Sequence, residues 1–187
     1  MTDVERVING STVCYYIEGR NILHREDGPA VVSPERAEWF VNGIRHREDG
    51  PAVTNRKLGS KSWYYKGKLH REDGPAVETD DGIKEWYING MRHKLDGPAI
   101  IDRDRIEEWY MNGIRHREDG PATIFNNGKK EWWVNGLRHR EDGPAIEWPD
   151  GVYWFLRGNP LTKEGWLEAL PEDKKLKALY SEYFIGD

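Results

Sequence analysis

The sequence predicts an all-β repeat protein, an elongated, twisted antiparallel sheet of hairpin repeats of about 23 residues followed by a short C-terminal helical cap. Three observations carry this. First, the heptapeptide His116–Ala122, "HREDGPA", recurs at His24, His46, His70 and His139 and as "HKLDGPA" at His93, so all six histidines stand in one motif spaced by 22 to 24 residues. Second, an Asn-Gly pair stands at a fixed distance before four of these motifs, and Asn-Gly is a strong hairpin signal because a type I′ turn needs positive φ at both central residues. Third, the alternating pattern ends near residue 161 and a helical period follows. A catalytic constellation occurs once per site, so a motif copied along the chain is architecture first.

Element by element, "VERVINGSTVCYYIEG" predicts an extra hairpin about Asn9-Gly10, and Glu18-Gly19 begins a longer turn that reaches His24 two residues late. The repeat itself is clearest in "EWYMNGIRHREDGPA", residues 108 to 122. Folded about Asn112-Gly113, it sets Met111 opposite Ile114, Tyr110 opposite Arg115, Trp109 opposite His116 and Glu108 opposite Arg117. The same folding gives Trp39/His46, Trp86/His93 and Trp132/His139, with Glu38/Arg47, Glu85/Lys94 and Glu131/Arg140 behind them. Side chains alternate across a strand, so one face is apolar plus Trp/His and the other aromatic/Arg plus an ion pair. A one-residue slip would scramble both faces, and four hairpins that agree fix the register.

"DGPA" then ends each hairpin. Asp119 is expected to accept hydrogen bonds from nearby backbone, Gly120 to supply unusual dihedrals, and Pro121 to withhold a donor and push Gly120 out of the helical region. A strand, a variable turn and the next Trp strand follow, which makes each repeat an antiparallel meander. The variable turns are "SPERAE", "TNRKLGSKS", "TDDGIK", "DRDRIE", "FNNGKK" and "WPDG". At the far end Trp154-Phe155-Leu156 begins a seventh aromatic strand with Leu161 where histidine would stand. Thr162 is an expected N-cap, and Pro171 with Glu172 and Asp173 starts a second helix. Leu176, Leu179, Tyr180, Tyr183 and Phe184 fall on one stripe expected to cover the sheet edge. The expected division is a repeat array over 1–161 and a helical cap over 162–187.

Composition narrows function. Nine Trp and nine Tyr exclude a disordered chain despite 33% charged residues. The net charge of −5, with both signs interleaved, gives no support for a nucleic-acid grip. The single Cys14 forms no internal disulfide, the N-terminal residues hold no signal-like apolar run, and no stretch is long enough to span a bilayer, so the expected compartment is reducing and cytoplasmic.

The six histidines are expected to pack neutral against tryptophan on the core-facing side. They lack the paired Cys/His spacing of zinc sites, so neither a metal nor another cofactor is expected. No unique nucleophile accompanies them either: Ser11, Ser33, Ser60, Ser62 and Ser181 stand in unlike contexts, and no catalytic residue is assigned. The opposite face is the candidate binding surface. Phe40/Arg45, Tyr87/Arg92, Tyr110/Arg115 and Trp133/Arg138 would form a row of aromatic and guanidinium groups, the residue types that dominate interface energies, although such cross-strand pairs also stabilise hairpins by themselves.

The aromatic strand, the Asn-Gly turn, the Gly-x-x-His step and the later turn glycine, as in "WYINGMRHKLDGPAIIDRDRIEEWY", resemble MORN (membrane occupation and recognition nexus) repeats over roughly residues 13 to 161. The resemblance is closer still to the MORN-like variant with "NGxxHRxDGPA" found in proteins of large bacteriophages and giant viruses. The usual Gly-x-Gly after the histidine is here Arg-Glu-Asp-Gly-Pro. The resemblance implies a non-enzymatic binding or scaffolding sheet acting through protein–protein interaction, with a host enzyme or defence protein as the partner and the host cytoplasm as the location if the source is viral. A small-ligand or lipid-headgroup binder is the alternative.

Overall fold

In the computed structural model, which describes residues 3–179, the chain divides into two compact units, one of residues 1–93 with 99–101 and the other of 94–98 with 102–187. Tyr180, Tyr183 and Phe184 of the expected stripe lie outside the described residues. Among the described residues fifteen strands belong to the main-sheet order, antiparallel to their neighbours, and the order does not close.

In the first unit the main-sheet strands are Val4–Asn9, Thr12–Ile17, Val31–Val32, Arg36–Glu38, Val53–Asn55, Ser60–Ser62, Val77–Thr79, Lys84–Glu85 and the start of Ile100–Asp102. In the second they are Ile106–Glu108, Thr123–Phe125, Lys130–Glu131, Ile146–Trp148, Gly151–Leu156 and Asn159–Leu161. Each repeat thus supplies two strands, one after "DGPA" and one before the aromatic residue. Val53, for instance, pairs with Glu38 on one side and Ser62 on the other.

The chain leaves this sheet at Trp39, Trp63, Trp86, Trp109 and Trp132. The Trp39 N–H donates to the Ala52 carbonyl of the following motif, and its carbonyl accepts from His46 N. The same two bonds recur at Trp63, Trp86, Trp109 and Trp132. Beyond the break stand small two-stranded hairpins such as Phe40–Val41 with Ile44–Arg45. Their turns have the type I′ signature expected of Asn-Gly, with φ of 51° at Asn42 and 77° at Gly43. Lys66-Gly67 and Arg157-Gly158 adopt it too, with a long basic side chain in the strained left-handed position. The first hairpin differs from expectation. Asn9 pairs with Thr12, so the turn is Gly10-Ser11, and only its first residue has positive φ, as a type II′ turn requires.

At the end of the second unit Trp154 faces Leu161 as read from the sequence. Thr162 caps the helix α1 (Lys163–Ala169), its Oγ1 accepting from Gly165 N at 3.0 Å. The helix α2 (Glu172–Leu179) follows Pro171, whose carbonyl accepts from Lys174 and Lys175. Trp154, Trp166, Leu170 and Ala178 form a buried cluster with Leu156, Leu161 and Leu167 packed against it. The expected stripe needs correction: Leu176 and Leu179 are 64% and 46% exposed, and Ala178 is the residue α2 buries. The small side chain is what lets the helix approach, while its leucines face outward.

The core residues along the repeats are small. Ala30, Ala52, Ala76, Ala99, Ala122 and Ala145 are all fully buried. Thr123 follows one of them where the other repeats have Val31, Val53, Val77, Ile100 and Ile146, and its buried Oγ1 has no hydrogen-bond partner. Removing an unpaired hydroxyl removes its desolvation penalty, so Thr123→Val should raise stability by about 1–2 kcal/mol. A thermal or urea melt with no gain would show that the hydroxyl is satisfied in solution.

Candidate functional site

The repeated motif proves to be a mechanical latch. Its arginine guanidinium lies over the aromatic ring of its own hairpin: Arg25 over Tyr15, Arg47 over Trp39, Arg71 over Trp63, Arg117 over Trp109 and Arg140 over Trp132, with Cζ between 3.8 and 4.2 Å from the ring centre. Arg117 Nε donates to Asp119 Oδ1 at 2.7 Å, and its Nη1 to the Pro121 carbonyl at 3.2 Å. The other four arginines repeat both bonds. The aspartate therefore serves the guanidinium where backbone donors were expected. The glycine serves it too. Gly28, Gly50, Gly74 and Gly120 do not have positive φ, but a Cβ on any of them would sit about 3 Å from the guanidinium carbon. At these four glycines space, and not a special dihedral, is what is required, whereas Gly97, in the motif that carries Lys94, has a positive φ of 132°.

This geometry overturns the expected Glu108/Arg117, Glu38/Arg47 and Glu131/Arg140 pairs, because the hairpin register stops at the tryptophan. Arg117 N donates to the Trp133 carbonyl of the next hairpin. The histidine also differs from expectation. It is the arginine that stacks on tryptophan, while His24, His46, His70, His116 and His139 use Nδ1 to accept the N–H of the first turn residue of the next repeat, Asn42, Lys66, Asn89, Asn135 and Arg157, at 3.0–3.2 Å. The following glycine N–H donates to the carbonyl preceding the histidine, as Gly43 does to Leu23 at 2.8 Å. Two successive amides of each of these five turns are thus held by the repeat before it.

The eight residues proposed for binding lie on the small hairpins, paired as the sequence predicted: Phe40/Arg45, Tyr87/Arg92, Tyr110/Arg115 and Trp133/Arg138. In the second unit four of them form one stack. Arg115 Cζ lies 5.4 Å from the Tyr110 ring and 5.0 Å from Trp133, and Arg138 lies 4.9 Å from Trp133 and 5.5 Å from Phe155. In the first unit Arg45 lies between Phe40 and Tyr64 at 5.3 and 5.7 Å, and Arg92 lies 5.8 Å from Tyr87. Leu69 opposite Tyr64 interrupts the series of arginines. Tyr64 and Phe155 were missed as rungs, although each directly follows its repeat's tryptophan as Phe40 and Tyr110 do.

In each unit the arginines of the small hairpins meet acids that the alternation argument assigned elsewhere. Glu38 is bonded by Arg45 and Arg36, Glu85 by Arg92 and the Tyr87 hydroxyl, Glu108 by Arg115, and Glu131 by Lys129 and the Trp133 indole. Burial pushes the Glu131 carboxyl up, but the bonds from Lys129 and Trp133 and the charges of Lys129 and Arg138 outweigh it and hold the group below its ordinary value. The face can offer flat, partly exposed rings and guanidinium planes whose charge is already matched. No family model matches the chain, and no curated protein matches it either. Among the described residues, no helix is long and apolar enough to cross a membrane.

Two outcomes follow from the latch. Arg117→Ala should cost about 2–3 kcal/mol by removing charge-assisted hydrogen bonds and the stack on Trp109, and Asp119→Ala should lower the melting temperature less, because the Pro121 bond survives. Equal effects from the two would mean that the aspartate, and not the ring, holds the guanidinium.

The second outcome is acid sensitivity. Hydrogen bonds and charge from Arg25, Arg47, Arg71 and Arg117 hold Asp27, Asp49, Asp73 and Asp119 below the usual carboxylate value. Their contribution is complete above about pH 3.9 and is lost as pH falls through the lower folded values. Burial pushes the His139 imidazole down, against Glu141 and with Arg157. The unfolded chain takes that proton first, so this contribution falls as pH drops below about 6.5. NMR titration should find His139 below the free imidazole value, and a value at or above it would refute the assignment.

Proposed function

We propose that the chain is a non-enzymatic binding protein that engages a protein partner through the aromatic/guanidinium stack of its small hairpins. The observation that carries this reading is the run Tyr110–Arg115–Trp133–Arg138–Phe155, in which side-chain exposures of 26% at Arg115 and 36% at Arg138 leave planar surface open while the main sheet is completed independently by the latches. Rings and guanidinium planes held in place lose little entropy when a partner covers them. An anionic headgroup or small acid is less well served, because the guanidiniums it would need are engaged by Glu38, Glu85, Glu108 and Glu131. The resemblance to MORN-like proteins of large bacteriophages and giant viruses supports a host enzyme or defence protein as the partner class.

The test must spare the fold. Arg115→Ala would strand the buried Glu108, so the informative variants are Phe40→Ala and Phe155→Ala, which remove a ring and no hydrogen bond. For a partner captured from host lysate, they should weaken binding at least about tenfold, a loss of about 1.4 kcal/mol, with melting temperatures shifted only slightly. Unchanged affinity in both, or binding to anionic vesicles that survives both changes, would overturn the proposal.

A further inference from the structure

The first strand of the main sheet, Val4–Asn9, differs from the others in that all six residues are exposed, with Val4, Val7 and Ile8 at 42%, 39% and 58%. Among the described residues it has one neighbour, Thr12–Ile17, in a six-pair register. The two-residue turn makes Asn9/Thr12 a hydrogen-bonded pair, and the phase continues to Asp3, whose carbonyl accepts from Glu18 at 3.0 Å. Glu5, Val7 and Asn9 therefore direct their backbone groups inward, and Val4, Arg6 and Ile8 direct theirs outward.

At the other end of the strand order, Asn159–Leu161 is blunted. Leu156 and Asn159 flank its two-residue turn, so the nitrogen of Pro160, opposite Phe155, faces outward and carries no hydrogen. Head-to-tail growth needs two open edges, whereas one open edge and one blunted edge allow a closed two-fold pair.

We propose that Val4–Asn9 pairs antiparallel with the same strand of a second copy, about a two-fold axis at Val7. Such an axis is perpendicular to the sheet and preserves its faces, so the central residue must meet itself. Centring on Glu5 or Arg6 sets like charges in contact, and centring on Ile8 shortens the overlap. Centring on Val7 sets Val7 on Val7, Arg6 on Ile8 and Glu5 on Asn9 of the second copy, with the outward groups of Arg6 and Ile8 in hydrogen-bonding phase. Like charges directly opposite are destabilising, so the charges select this register. One strand pair buries less than the roughly 1,200 Å² of a standard stable interface, which makes this a weak, reversible dimer.

Sedimentation over micromolar to millimolar concentrations should show a monomer–dimer equilibrium. Arg6→Pro removes an outward N–H and should raise the dissociation constant at least about tenfold with the melt preserved. Because Cys14 faces Val7 within the hairpin, the register is tested in a Cys14→Ser background. There Val7→Cys should form an interchain disulfide on mild oxidation, and Val4→Cys and Ile8→Cys should not. A monomer at every concentration, a dimer indifferent to Arg6→Pro, or cross-linking at Val4 or Ile8 as efficient as at Val7 would each overturn the proposal. If Arg6→Pro fails to fold, the cysteine series still decides.

Discussion

The stacking of an arginine guanidinium on the aromatic ring of its own hairpin is the interaction on which the structure depends. A lone sheet of short hairpins buries few large side chains between layers, and the residue fully buried in all six motifs is alanine. The guanidinium supplies the missing cover: it lies flat on Trp39 or Trp109 while its N–H groups are satisfied by an aspartate and a proline carbonyl of the same motif. Arginine suits this better than lysine, since only a planar fork can stack and donate in two directions at once. The last repeat lacks the arginine, and there the Trp166 ring takes its place on Trp154 at 4.5 Å between centres, its Nε1 donating to the Arg140 carbonyl. Trp166 ends the series with a tilted ring-on-ring contact in place of the cation.

The latch closes one hairpin, and the histidine joins it to the next. An Nδ1 acceptor for one turn amide and a backbone carbonyl for the following amide leave no slack in how consecutive hairpins meet. This explains why Lys66 and Arg157 tolerate the left-handed conformation that normally selects Asn or Gly. The turn is held from outside, so its own residues need not encode it. Stability in such an arrangement is a sum of repeat and nearest-neighbour terms.

Much of this was legible in the sequence because repetition supplies its own control. The type I′ turns and the Tyr110/Arg115 class of pairs follow from local rules applied at several places that had to agree, and the Thr162 cap and the second helix start from local rules that each apply once. What was not legible needed knowledge of where the strand stops. Extending the alternation two residues past Tyr110/Arg115 assigned Glu108 to Arg117, whereas the Trp109 N–H is taken by Ala122, the ladder breaks there, and Glu108 meets Arg115. The motif glycine was misread for a related reason, since its neighbour is a side chain that only the folded motif brings near. The α2 stripe failed differently. Apolar spacing identifies which residues share a side of a helix, but the surface it meets accommodates Ala178 and leaves Leu176 and Leu179 outside.

One regularity separates what the repeat must keep from what it can change. From Trp39 to Ala52, as from Trp132 to Ala145, the chain takes 13 residues, the stretch that holds the turn, the histidine and the latch. From alanine to the next tryptophan it takes 9 residues after Ala30, 11 after Ala52 and 10 after Ala76. Length is therefore rigid on the bonded side and elastic at the variable turns, where Arg56–Gly59 absorbs extra residues without disturbing the Trp63 N–H bond to Ala76. Within each unit the repeats behave like a rack with a fixed pitch along one rail and free sockets along the other, so loops could be exchanged in the sockets while the rail keeps time.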